Sequence, residues 1–153
     1  MTYLPDVNVL VALIDPAHVG HEAAHAWFAG TGRRNWATCP LTQNGVIRII
    51  GNPRYPNSAG SPAEASEIMR RLCALDGHQF WGDTVNLLEC DFVDTGEIRT
   101  SAQLTDTYLL ALAMTHQGKL ATFDRKLSLR PVRGGRKALH LIDGAGGRDV
   151  GAV

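Results

Sequence analysis

Two aspartates stand directly behind short apolar runs: Asp6 after Tyr3-Leu4-Pro5, and Asp124 after Leu120-Ala121-Thr122-Phe123. A third, Asp106, follows Gln103-Leu104-Thr105 where an apolar helical stretch opens. An acid at the carboxyl end of a strand is badly placed for packing, but open α/β sheets bind their ligands just outside those ends. Three carboxylates brought close would repel, and each would resist ionising unless a cation sat between them. Mg2+ or Mn2+ suits such oxygen ligands. A site of this kind activates water and steadies the charge of a phosphodiester during in-line displacement. A helix N-terminus beside Asp106, placed here in the first turn, would help keep that acid ionised. Most aspartates only solvate a surface, so the case rests on the elements that position these three.

The pattern of strand and helix runs the whole length. Tyr3 to Pro5 reads as a strand, and Val7 to Ile14 as a short buried helix that Asp15-Pro16 ends. His18 to Ala29 is a second helix, closed by Gly30-Thr31-Gly32. Asn35 to Cys39 is a strand, and Pro40 starts an apolar helix that runs up to Gly51-Asn52-Pro53. Arg54 to Gly60 is loop. Ser61-Pro62-Ala63-Glu64 caps a helix reaching about Leu75, with Glu64 expected to reach back to the cap's N–H. Phe80 and Trp81 suit a short edge strand, and Asp83 to Glu97 is irregular or partly helical. Leu104, Tyr108, Leu109, Leu112 and Ala113 share one helical face, with His116 and Gly118 as the stop. Lys119 to Phe123 and Ala138 to Ile142 are the last strands.

Strands alternating with helices imply an α/β fold: one domain over residues 1–143, with a parallel sheet of four to five strands sandwiched by helices. Residues 144–153 form a glycine-rich tail that is expected to fray. At 153 residues the chain can bury roughly 70% of the surface its unfolded form exposes. The 15 basic and 15 acidic residues cancel, so no global field draws in nucleic acid. No apolar run nears the roughly 18 residues that cross a bilayer, and no secretory signal opens the chain, so a cytoplasmic location without membrane contact is expected. Cys39, Cys73 and Cys90 are expected as buried reduced thiols, and Trp36, Trp81 and Tyr108 as core.

Other motifs carry competing readings. His21-Glu22-Ala23-Ala24-His25 matches the H-E-x-x-H pattern of zinc peptidases, in which two histidines one turn apart share the metal. It lacks a third ligand in recognisable context, so a plain surface or interface helix is the better reading. Arg125, Lys126, Arg130, Arg133, Arg136 and Lys137 crowd the segment after Asp124, with few acids to oppose them. They suit RNA phosphates or an acidic partner protein. Arg48 faces substrate, a carboxylate or a structural ion pair.

Leu4-Pro5-Asp6-Val7-Asn8-Val9-Leu10, Leu104-Thr105-Asp106-Thr107-Tyr108-Leu109, and Leu120-Ala121-Thr122-Phe123-Asp124 together resemble, in order and spacing, the signature segments of PIN-domain ribonucleases. The likeness is strongest to VapC-type toxins of toxin–antitoxin pairs, and Trp27-Phe28 and Thr38 to Thr42 extend it. The resemblance implies a Mg2+- or Mn2+-dependent endoribonuclease with Asp6, Asp106 and Asp124 on the metal. Asn8 and Thr122 would be polar supports, RNA the substrate, and a VapB-type antitoxin the partner. It also implies a homodimer, as do the apolar helical faces. One departure is plain: Gln43 stands where the family pattern has a further acid, so weaker metal binding is expected. A catalytically weak protein-binding module on the same fold is the alternative.

Overall fold

A computed structural model describes residues 1–144 of the chain. The expected tail lies outside the described residues apart from Gly144. Five short strands, β1 (Tyr3–Pro5), β2 (Trp36–Thr38), β3 (His78–Phe80), β4 (Lys119–Thr122) and β5 (Leu139–Leu141), form one sheet in the order β3-β2-β1-β4-β5. Every neighbouring pair is parallel. Five helices connect and cover them: α1 (Val7–Ile14), α2 (His21–Gly30), α3 (Pro40–Ile50), α4 (Pro62–Cys73) and α5 (Ala102–Thr115).

Successive residues of a strand point to opposite faces, and the two cores follow that alternation. Trp36 and Ala121 face one side, where Val9, Leu10, Phe28, Val46, Ile50 and Met69 from the first four helices close over them. Leu4, Ala37 and Leu120 face the other, under Leu109, Leu110, Leu112 and Ala113 of α5. Both faces are therefore dry, which is why the strands read as unbroken apolar runs. Leu110 is wholly buried, so truncating it to alanine costs about 2–5 kcal/mol. Trp36 and Trp81 lie in the core, and Tyr108 packs against it. All three cysteines are free thiols, though only Cys39 is fully buried.

Local chemistry shifts several expected boundaries. α2 begins at His21, not His18, because the His18 ring turns back and its Nδ1 accepts the Gly20 N–H at 2.9 Å. Ser61 caps α4 as expected, accepting the Glu64 N–H at 3.2 Å. Glu64, however, takes the Ser61 hydroxyl at 3.1 Å rather than the cap's backbone N–H. The edge strand β3 spans His78–Phe80, and Trp81 leaves it to enter the core. The reversal after α5 falls on Gln117, at φ 55°, one residue before the expected Gly118. Gly118 is needed for a different reason, since an added Cβ would sit 2.6 Å from the Thr2 carbonyl oxygen. Between β3 and α5 the only regular structure is a short 3-10 turn, Thr95–Glu97.

The strand order gives the functional frame. From β1 the chain builds outward through β2 to β3, then returns to add β4 and β5 on the other side. The reversal lies between β1 and β4, the position where sheets of this type open a crevice at their carboxyl ends.

Candidate metal-dependent site

Asp6 follows β1 and caps α1, with Oδ1 accepting the Val9 N–H at 2.9 Å. Its other oxygen, Oδ2, accepts the Thr122 hydroxyl at 2.5 Å across the β1–β4 boundary. The Thr122 oxygen also accepts the Asp124 N–H at 3.0 Å. One buried hydroxyl thus ties both acids to the two strand ends that flank the reversal. Asp124 is half-buried, and its Oδ1 accepts the Lys126 N–H at 2.8 Å in a tight turn.

Burial is the largest influence on Asp6 and pushes its carboxyl up to about 6. The Thr122 hydroxyl and the Val9 and Asn8 N–H groups pull the other way, and the charge of Asp124 adds to the rise. A carboxylate made so reluctant to ionise gains from any cation that meets it.

Asp106 is the fifth residue of α5, one turn beyond the helix start, and is half-buried. That corrects its expected place in the first turn, so the helix N-terminus acts on it less directly than expected. α5 packs over β1 and β4 and its C-terminal end leads into the start of β4, so the helix runs back from the carboxyl edge of the sheet with Asp106 in its N-terminal half. Among the described residues, no three His, Cys, Asp or Glu side chains are already closed around a metal-sized point.

Gln43, in the second turn of α3, donates from Nε2 to the Thr38 hydroxyl at 2.9 Å. Thr38 in turn meets His78 Nε2 at 2.8 Å. This Gln43–Thr38–His78 chain ties α3 to the ends of β2 and β3. Sequence reading missed it, since nothing in the spacing of residues 38 and 78 marks them as a pair. The Asn8 amide oxygen meets His18 Nε2 at 3.0 Å, a second contact without a sequence signal.

The H-E-x-x-H histidines have a structural task. His21 Nδ1 meets the Ala12 carbonyl at 2.7 Å, and His25 Nε2 meets the Leu13 carbonyl at 2.8 Å. Both serve the C-terminal end of α1, whose last carbonyls have no intrahelical donors. No third ligand joins them among the described residues, so the zinc-peptidase reading is set aside.

The basic segment is partly engaged. Arg125 pairs with Asp143 at 2.9 Å, an acid the expectation of few opposing charges overlooked. The Arg133 guanidinium donates to the Asp91 carbonyl at 2.5 Å. Lys126, Arg130, Arg136 and Lys137 are exposed, as is Arg48 on α3. No described helix is long and apolar enough to cross a membrane.

Comparison with known proteins adds a separate line of support. A family model described as PIN domain matches residues 3–131. Ribonuclease VapC44 of Mycobacterium tuberculosis is 44% identical over 137 residues, covering 90% of this chain and 96% of the relative. Ribonuclease VapC39 of the same organism is 40% identical over 128 residues, covering 84% and 92%. Ribonuclease VapC38 is 40% identical over 121 residues, covering 79% and 84%.

Proposed function

The chain belongs to the PIN-domain family, and from that premise we propose that it is a divalent-metal-dependent endoribonuclease, the toxin of a toxin–antitoxin pair. The observation that carries the reading is that the Thr122 hydroxyl joins the Asp6 carboxyl to the Asp124 backbone N–H at the carboxyl ends of the two strands flanking the reversal.

The donor set fits a hard divalent cation. It is all oxygen, one carboxyl is buried and resists ionising, and the two acids repel through space. Asp6 already spends both oxygens on hydrogen bonds, and among the described residues no three acids are grouped to hold a metal. Mg2+ and Mn2+ keep several waters and can start from one or two carboxylates plus substrate phosphates, with a further acid joining when the ion binds. Asp6 and Asp124 would hold the ion, with Asp106 joining from α5. When bound, the cation supplies an activated water and neutralises charge on the phosphate.

The protein's own residues do the rest. Thr122 fixes the Asp6 carboxyl plane by donating to Oδ2, and Val9 fixes it from the other side. Lys126, Arg130 and Arg125 lie just beyond Asp124, where exposed cations attract RNA phosphates with a strong salt dependence. Arg48, exposed on α3, and Arg133 are the further cations this reading assigns to RNA or an antitoxin. A VapB-type antitoxin and a homodimer are the partners this reading assigns.

A second reading has one observation in its favour. Gln43 replaces the further acid and spends its amide on Thr38, which suits a catalytically weak protein-binding module. Cleavage of total RNA separates the two. The nuclease reading expects cleavage with Mg2+, none after chelation and none in Asp6→Asn. Cleavage that survives Asp6→Asn would defeat it.

A further inference from the structure

His18 lies outside the acidic site, yet both its ring nitrogens are committed, and to different neighbours. Nδ1 meets the Gly20 backbone N–H at 2.9 Å. A backbone N–H only donates, so Nδ1 must carry the lone pair and Nε2 must carry the proton. The Nε2–H then donates to Asn8 Oδ1 at 3.0 Å. That orients the Asn8 amide: its oxygen turns toward His18, and its amino group points away from that ring with both donors to offer.

Asn8 stands in the first turn of α1, two residues beyond Asp6, and its backbone N–H is among the donors that act on the Asp6 carboxyl. The His18 loop also reaches the Asp124 side. Gly20 packs so tightly on Phe123, the residue before Asp124, that an added Cβ would lie 3.0 Å from the ring. The loop therefore spans both strand ends, and it holds one amide in one orientation beside them.

We propose that His18 is a positioning residue for the nuclease site: as the Nε2–H tautomer it locks Asn8 as a hydrogen-bond donor, directed at phosphate or carboxylate oxygen rather than at the cation. The proposal rests on the nuclease reading. An amide free to flip could turn its oxygen toward the ion, and its donor would then be missing from the substrate.

Two substitutions separate this task from holding the loop. His18→Gln places an amide nitrogen near the position of Nε2, keeping a donor for Asn8 while losing the acceptor for Gly20. His18→Asn places an oxygen near Nδ1, keeping the acceptor for Gly20 while losing the donor for Asn8. Single-turnover RNA cleavage with Mg2+, and the thermal midpoint, are measured for each. His18→Asn is expected to lose about tenfold in rate at an unchanged midpoint, and His18→Gln to retain most of the rate at a lowered one. Asn8→Ala combined with His18→Asn should be no slower than Asn8→Ala alone. The reverse pattern, an active His18→Asn and a slow His18→Gln, would assign His18 to the loop only, as would losses that multiply in the double variant.

A readout independent of cleavage keeps the two readings apart. Nitrogen-15 spectra of the wild-type imidazoles at pH 7.5 should show His18 as the neutral Nε2–H form; the Nδ1–H form or an imidazolium overturns the proposal even in an active enzyme. A wild-type chain inert toward RNA but showing the Nε2–H tautomer would sink the nuclease reading and reduce His18 to a holder of Asn8 with no reaction to serve.

Discussion

Thr122 and Asp6 are 116 residues apart in sequence, yet the Thr122 hydroxyl donates to Asp6 Oδ2 at 2.5 Å inside the protein. This bond joins β1 to β4 where the strand order reverses, and Asp124 hangs from the same oxygen.

Removing that hydroxyl while keeping its shape tests the bridge. Thr122→Val leaves Asp6 Oδ2 and the Asp124 N–H without their partner. A hydrogen bond to a charged group contributes about 1.5–3 kcal/mol, so denaturant unfolding at pH 7.5 should show a loss of that order. RNA cleavage should fall at least tenfold, and Thr122→Ser should restore both. An active, equally stable Thr122→Val would remove Thr122 from the account.

The Asp6 carboxyl predicts how stability responds to pH when no divalent ion is present. Its folded-state value, about 6, lies above the ordinary 3.8, so the folded protein binds the extra proton between those values. Stability from this group is full below about pH 4 and is lost as pH rises through 6, by at most about 3 kcal/mol. In chelator at pH 7.5, Asp6→Asn should therefore melt higher than wild type, and Mn2+ should stabilise wild type alone. An Asp6→Asn protein that melts lower in chelator across that range would contradict the assignment.

Gln43→Glu returns an acid to the carboxyl edge. The Thr38 hydroxyl can donate to the new carboxylate, and one more negative charge faces the ion. Mn2+ affinity should rise several-fold by calorimetric titration. No gain would place residue 43 outside the site and confine it to its chain with Thr38 and His78.

The histidines of the H-E-x-x-H sequence should matter for folding and not for zinc. His21→Ala and His25→Ala each strip a donor from the end of α1, at about 1 kcal/mol. In a chain of this size that lowers the thermal midpoint by roughly 2–4 °C. Metal analysis should find no stoichiometric zinc, and peptidase activity should be absent in every form.

The α/β architecture was legible because strand and helix alternate from Tyr3 to Ile142 and both sheet faces are covered, which leaves long apolar runs in the sequence. Asp6 and Asp124 were legible as strand-end acids for the same reason. The contacts that orient them were not. Thr122 with Asp6, His18 with Asn8, and Gln43 with Thr38 and His78 are made across elements, and a hydroxyl or imidazole carries no mark of its distant partner. The H-E-x-x-H match shows the converse. Helical spacing put two histidines on one face, but two carbonyls at the end of α1 took their nitrogens. Asp106 was placed in the first turn because the opening was read at Gln103; α5 starts one residue earlier, at Ala102, which makes Asp106 its fifth residue.

The central claim is that Asp6, Asp106 and Asp124 serve one divalent ion. Calorimetric titration of the purified protein with Mn2+ at pH 7.5 tests it most directly, using wild type and the three single Asp→Asn variants. The account predicts one site per chain in wild type and a loss of at least tenfold in affinity in each variant. Wild-type affinity retained in any one of the three would show that its carboxylate does not share the ion.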